Sequence, residues 1–493
     1  MILAIDQGTT GTTCLVFDEQ AELIGRAQRE FSQHFPHPGW VEHDLREIWA
    51  VTHATAGEAL DDAGIRPGEL RAVGITNQRE TVCVWDPATG EPLHDAIVWQ
   101  DRRTADRCAE LRAAGHEQLI RERTGLVLDP YFSATKIAWL LERVDGLAER
   151  ARTGKAVFGT IDSYLIHRLT GEHVTDATNA SRTSLFNLAG GGWDDELIEL
   201  FGVSDAPLPR IVASAGLLAT TIADRLHGHA VPVAGIAGDQ QAALFGQACL
   251  DPGLGKNTYG TGSFVLVNTG FTPPQPTPGL LGTVAAKIGN ATSFAQEASI
   301  FVTGAAVQWL RDGLGIIDSA AETEALARSL EGNDGVYFVP ALTGLGSPHW
   351  DPHARGTITG LTRGATVAHF ARATLEGIAY QTADAITAIE AAPNAPQLTE
   401  LRVDGGATVN DWLMQFQADI LGVPVVLPET AETTALGAAY LAGVGIGLWT
   451  LSDVADNWRE RRRFEPQISS AEREQLLGGW ADALARTRRV TEG

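Results

Sequence analysis

Lysine is scarce in this chain. Among 37 basic side chains only Lys136, Lys155, Lys256 and Lys287 are lysines, and the formal net charge over 493 residues is -24. That acid excess argues against partners held by a basic surface, so neither nucleic acid nor an anionic membrane is expected. A nucleotide is not excluded, because backbone N–H groups and a bound cation set the local field. Cysteine is sparse too: Cys14, Cys83, Cys108 and Cys249 are widely spaced, with no CxxC pair. They read as reduced, incidental thiols of the cytosol. Long apolar runs are few. Asp6 interrupts the apolar start, so no secretory leader is expected. Thr433 to Ser452 is uncharged and long enough to span a bilayer, yet Gly437, Gly443, Gly445 and Gly447 fall within it. A buried helix followed by a turn is expected there, in a cytoplasmic protein without membrane insertion.

What is present is ordinary for a globular chain: 44% hydrophobic and 20% charged residues, at a length that implies two or three domains. Ile2 to Ile5 and Thr12 to Phe17 read as strands around Asp6-Gln7-Gly8-Thr9-Thr10-Gly11. Such a hairpin turns N–H and hydroxyl groups into one concavity, which suits phosphate oxygens. It lacks the Gly-Lys-Ser/Thr ending of a P-loop. Asp44 to Glu47 has the spacing of a capping box ahead of an apolar helix face. Arg71 to Thr76 reads as a strand leading into Asn77-Gln78-Arg79-Glu80-Thr81. Val231 to Ile236 reads as another, ending in the turn Gly235-Ile236-Ala237-Gly238-Asp239-Gln240-Gln241. A carboxylate is thus expected at the carboxyl end of a sheet strand, where open α/β sheets bind ligands.

The second half repeats this order. Tyr259-Gly260-Thr261-Gly262-Ser263 is again a Gly/Thr loop between β-prone runs, Gly289-Asn290 suits a hairpin turn, and Leu401 to Asp404 runs into Gly405-Gly406. Thr303 to Leu314, Thr366 to Glu390 and Ala471 to Arg486 read as helices, and the basic run Trp458 to Phe464 as a solvated helix face. Each half has a hydroxyl-rich hairpin and a strand ending in a Gly-rich turn, Gly235 to Asp239 in one and Asp404 to Gly406 in the other. Two related domains, 1–246 and 247–493, are expected to face each other across a cleft.

Taken together and in order, Asp6 to Thr10, Asn77 to Thr81, Pro130-Tyr131-Phe132-Ser133, Gly238 to Gln241, Tyr259 to Gly262 and Asp404 to Gly406 resemble the FGGY carbohydrate-kinase family. Gly356 to Glu376 is similar to its second signature. The likeness spans essentially the whole chain and is strongest to members that phosphorylate glycerol. It implies an α/β fold of two ribonuclease-H-like domains, as in actin- and hexokinase-type ATPases. The polyol would sit on the first and ATP on the second, with a homodimer or homotetramer as the assembly. Asn77 to Thr81 argues against a pentulose kinase. An acceptor-free nucleotide switch would need no Arg79, Glu80 and Tyr131.

The resemblance also implies site residues. Asp239 would be the general base toward the acceptor hydroxyl. Arg79, Glu80, Tyr131 and Gln240 would hydrogen-bond an uncharged polyol, with Trp99 and Phe264 walling its carbons. Thr9, Thr10, Gly11, Thr261, Gly304, Gln308, Gly406 and Asn410 would contact ATP. Asp6, with Asp239, would organise Mg²⁺ through its water shell. The family often continues its first loop with Ser-Ser-Arg, whereas Gly11-Thr12-Thr13 stands here, so a phosphate-side cation is absent at Thr13. Leu226-His227-Gly228-His229-Ala230 lacks the arginine through which some bacterial members bind fructose 1,6-bisphosphate, so no such inhibition is expected. Arg225 stands where other members carry a phosphorylatable histidine, and His227 reads as an ordinary surface residue.

Overall fold

A computed structural model of the chain describes residues 1–66 and 68–489. Its centre is a mixed sheet of thirteen strands. In the first half, Ile2–Gln7, Gly11–Phe17 and Leu23–Glu30 form an antiparallel meander, and Ala72–Asn77 and Pro232–Gly238 extend it by parallel pairing beside Ile2–Gln7. In the second half, Leu254–Tyr259, Ser263–Gly270 and Ala291–Ile300 form the antiparallel set, extended by Glu400–Asp404 and Val425–Pro428 in parallel. The expected repeat is therefore present in the strand order. Asp6 faces Thr76 across the first parallel pair just as Thr258 faces Asp404 across the second.

One detail of the repeat differs from expectation. The strand ending at Asp404 corresponds to Ala72–Asn77, not to the strand ending at Gly238. The counterpart of Pro232–Gly238 is Val425–Pro428, and each of these is followed by a helix, Asp239–Gly246 and Thr433–Gly445 respectively. Gly-rich turns close two different strands of the repeat, so composition alone pairs them wrongly.

Side chains of Ile2–Gln7 alternate between two cores, as strand geometry requires. Leu3 and Ile5 pack with Ile48, Ala56 and Leu60 of the helix Leu45–Asp62, whereas Ile2 and Ala4 pack with Ala438, Ala439 and Ala442 of Thr433–Gly445. Both faces are covered, which is why these strands read as continuous apolar runs. The uncharged stretch near residue 440 is thus a buried helix. Among the described residues no helix is long and apolar enough to cross a membrane.

Two local expectations fail. Asp44 caps its helix through Arg46 N at 2.8 Å, but Glu47 does not close a capping box; its carboxylate instead accepts from Ser32 N and Oγ, both at 3.1 Å. The basic run near 460 is not helical. Glu460–Phe464 is the edge strand beside Val425–Pro428, and its charges suit an edge that must not pair with another chain.

Candidate active site

Asp239 opens the helix Asp239–Gly246 directly after the strand Pro232–Gly238. Its side chain is 29% exposed, and Oδ1 lies 3.2 Å from Arg79 Nε. Gln240 N donates to the same oxygen at 2.7 Å. Burial pushes the Asp239 carboxyl above its ordinary range, while Arg79 and Lys256 pull it back. Gly238 makes the approach possible: a Cβ there would stand 2.7 Å from both Cγ and Cδ of Arg79.

Arg79 and Glu80 are neighbours in sequence, yet each finds its main partner elsewhere. Arg79 forks onto Glu297, with Nη1 at 2.5 Å and Nη2 at 3.1 Å, and Nη1 also reaches Gln241 Oε1 at 3.2 Å. Glu80 accepts from Arg182 Nε at 2.7 Å, and Arg182 Nη2 donates to Glu297 at 3.0 Å. All four are almost fully buried. Burial by itself would raise Glu297, but Arg182 and Arg79 hold it down to about 2. Glu80 has φ +61°, a left-handed conformation that a side chain adopts only under constraint. Ser133 Oγ, donating to the Glu80 carbonyl at 2.8 Å, and Arg182 supply that constraint.

The remaining expected polyol residues join the same cluster. Phe264 faces the Arg79 guanidinium, 5.9 Å from ring centroid to Cζ. Tyr131 lies 5.8 Å from Arg182 Cζ and meets Trp99 edge to face at 5.5 Å. Trp99 Nε1 donates to Thr9 Oγ1 at 3.0 Å, joining this cluster to the first Gly/Thr loop. Gly11 lies where a Cβ would meet the Arg29 carbonyl at 2.7 Å, and Thr10 is exposed at the hairpin tip. Asp6 is pushed up to about 8 by burial, with the Asp239 and Glu432 charges adding to it. The two carboxylates thus share one electrostatic environment. Thr13 lies within the hairpin strand, paired with Asp6.

Thr261, Gly304, Gln308, Gly406 and Asn410 line a separate cavity of about 370 Å³ together with Ala321, Leu375, Ile378 and Leu413. Its lining is mostly apolar with a few polar side chains among it, which is the usual make-up of a small-molecule site. Thr9, Thr10 and Gly11 are not among its lining residues. Asn410 is already engaged: Oδ1 caps the helix Asp411–Leu421 through Leu413 N at 2.9 Å, and Nδ2 donates to Thr323 Oγ1 at 3.2 Å.

Sequence reasoning missed Arg182, Glu297 and Lys256. Glu297 is a lone carboxylate in the β-prone run Phe294 to Ile300, and Lys256 is one of four lysines, also in a strand. An ionisable group in a buried strand was the available signal. In the region before the Asp239 turn, Arg225 donates to the carbonyls of His167 and Arg168 at 3.3 and 3.2 Å, and His227 packs on His53 with ring centroids 4.1 Å apart.

Residues 1–246 match the N-terminal domain of the FGGY family of carbohydrate kinases, and residues 255–446 match its C-terminal domain. A glycerol kinase of Deinococcus radiodurans is 55% identical over 490 residues, covering 99% of this chain and 97% of that one. Glycerol kinase 2 of Thermotoga maritima is 53% identical over 489 residues, covering 99% and 98%. Among solved structures, Plasmodium falciparum glycerol kinase with ADP superposes with a TM-score of 0.94 at 35% identity, covering 99% of this chain and 98% of that one. A xylulose kinase from Rhodospirillum rubrum superposes at 0.88 with 26% identity, covering 100% and 99%. The fold is that of the two-domain actin- and hexokinase-type ATPases, and the chain belongs to the FGGY family of carbohydrate kinases.

Proposed function

We propose that the chain transfers the γ-phosphoryl group of ATP to glycerol, giving sn-glycerol 3-phosphate and ADP. The observation that carries this reading is the full-length likeness, at more than half of all positions, to relatives named glycerol kinase. Supporting it, a carboxylate, a buried arginine and an aromatic wall meet at one point, which suits an uncharged, hydroxyl-rich acceptor.

In this reading Asp239 accepts the proton of the attacking hydroxyl as its oxygen closes on the γ-phosphorus and ADP leaves. Burial raises the proton affinity of Asp239, which makes it a stronger base than an exposed aspartate, and Arg79 offsets part of that rise and aims the carboxylate. Arg79, Glu80, Tyr131 and Gln240 orient the polyol, and Trp99 and Phe264 exclude water that would otherwise accept the phosphoryl group. Thr261, Gly304, Gln308, Gly406 and Asn410 hold the nucleotide in the second-half cavity, while Thr9, Thr10 and Gly11 meet its phosphates once the two halves close.

Asp6, whose proton affinity is raised by burial and by the charge of Asp239, would with Asp239 suit a dication that keeps most of its waters. Magnesium bound with the nucleotide would supply neutralisation of phosphate charge. The same reading divides the chain at residues 246 and 247 and includes a cytoplasmic homodimer or homotetramer.

The test is ATP consumption with glycerol, erythritol, xylulose and ribulose as acceptors. Glycerol is expected to give the highest kcat/KM, and fructose 1,6-bisphosphate is expected to leave the rate unchanged. A higher kcat/KM for xylulose would overturn the substrate assignment.

A further inference from the structure

Lys256 lies on the strand Leu254–Tyr259 in the second half of the chain, fully buried, and its ammonium reaches into the first half. Nζ donates to Gln240 Oε1 and, at 2.9 Å, to Thr258 Oγ1. An ammonium donates only, so the end of the Gln240 amide that faces it must be the oxygen. The other end, Nε2, can then only donate. Gln240 follows Asp239 directly, and its backbone N–H is already bound to the Asp239 carboxylate.

We propose that Lys256 is a positioning residue for the acceptor: it fixes which way round the Gln240 amide faces the polyol. The pocket then offers a fixed donor at Gln240 beside a fixed acceptor at Asp239, matching two hydroxyls rather than a carboxylate or an amine. The inference rests on the glycerol reading given above. Lys256 acts without touching the substrate, through one hydrogen bond. Other charges also face it, Asp404, Asp239, Arg79 and Glu297, so a purely electrostatic role is the alternative to be separated.

A double-mutant cycle separates them. Lys256→Met keeps the unbranched shape and most of the length of the side chain and removes the donor. It is expected to raise the KM for glycerol about tenfold, the scale of a charge-assisted hydrogen bond, with a smaller change in kcat and in the KM for ATP. In a Gln240→Ala background the same substitution is expected to add nothing further, because the group it orients is gone. Calorimetric binding of glycerol should follow the same pattern without turnover. An unchanged glycerol KM in Lys256→Met would overturn the inference. So would an undiminished effect in the Gln240→Ala background, a Gln240→Ala variant with unchanged glycerol KM, or an equal rise in the KM for ATP, which would route the effect through Asp404. Should Lys256→Met not fold, Thr258→Val releases the ammonium from one acceptor and is expected to raise the glycerol KM about two- to threefold; no change would equally overturn it. Failure of the underlying reading is distinct, since the unaltered protein would then not turn over glycerol at all.

Discussion

Arg79 and Glu297 are 218 residues apart in sequence and form a two-pronged ion pair, with Nη1 at 2.5 Å and Nη2 at 3.1 Å from the carboxylate oxygens. Arg182 binds the same carboxylate at 3.0 Å. One buried glutamate therefore sets the orientation of the arginine that in turn faces Asp239. Glu297→Gln keeps the shape but leaves the two buried cations with only Glu80 and the partly exposed Asp239 as carboxylates near them. Breaking a buried pair from one side costs about 3–5 kcal/mol. The sign with pH follows from Glu297 being held at about 2 against an ordinary 4.5. Its stabilising contribution is complete above pH 4.5 and is lost as pH falls from there through 2. Urea unfolding is expected to show a large stability gap between the two proteins at pH 7 that narrows below pH 4.5.

Much of this arrangement was legible in the sequence. The Gly/Thr hairpins, the Asp239 turn and the alternation of strands and helices all follow from local chemistry, because a turn or an apolar face is encoded within a few residues. The ion network was not. Glu80 next to Arg79 looks like a self-contained pair, but their Nε–Oε1 separation is 3.9 Å and their closer partners come from Arg182 and Glu297. Such pairings depend on strand order across the whole sheet. The basic run near residue 460 misled for the same reason: an edge strand and a solvated helix can share a composition, and only the neighbouring strand Val425–Pro428 decides between them.

Gly238 leaves room for the shaft of Arg79. In Gly238→Ala the new methyl would stand 2.7 Å from Arg79 Cγ and Cδ and 2.9 Å from Gln241 Oε1. The arginine is pinned at its far end by Glu297, so it cannot swing clear. Misplacing a positioning group by about 1 Å can cost on the order of 10²-fold in rate. Steady-state kinetics are expected to show a loss of that order in kcat/KM with near-normal unfolding, which places the effect at the site and not in the fold.

The helices Asp239–Gly246 and Thr433–Gly445 cross with almost no space between them. A Cβ at Gly437 would stand 1.8 Å from the Ala242 carbonyl, and one at Gly246 would stand 2.0 Å from that of Thr433. Backbone cannot yield as a side-chain tip can. Gly437→Ala is expected to destabilise by about 1–3 kcal/mol or more, the range for overpacking a close contact. A thermal shift assay should show a lower Tm than in Gly478→Ala, where a Cβ would meet nothing within 4 Å.

In the proposed reaction Asp239 takes the proton from glycerol as phosphate is transferred. Asp239→Asn keeps the size of the side chain but removes the base, and its kcat for ATP-dependent glycerol phosphorylation is the measurement that bears on this most directly. Loss of a general base lowers the rate about 10²- to 10⁴-fold. A fall within that range, in a variant that still binds glycerol and unfolds cooperatively, is the expected result; turnover at the unaltered rate would contradict it.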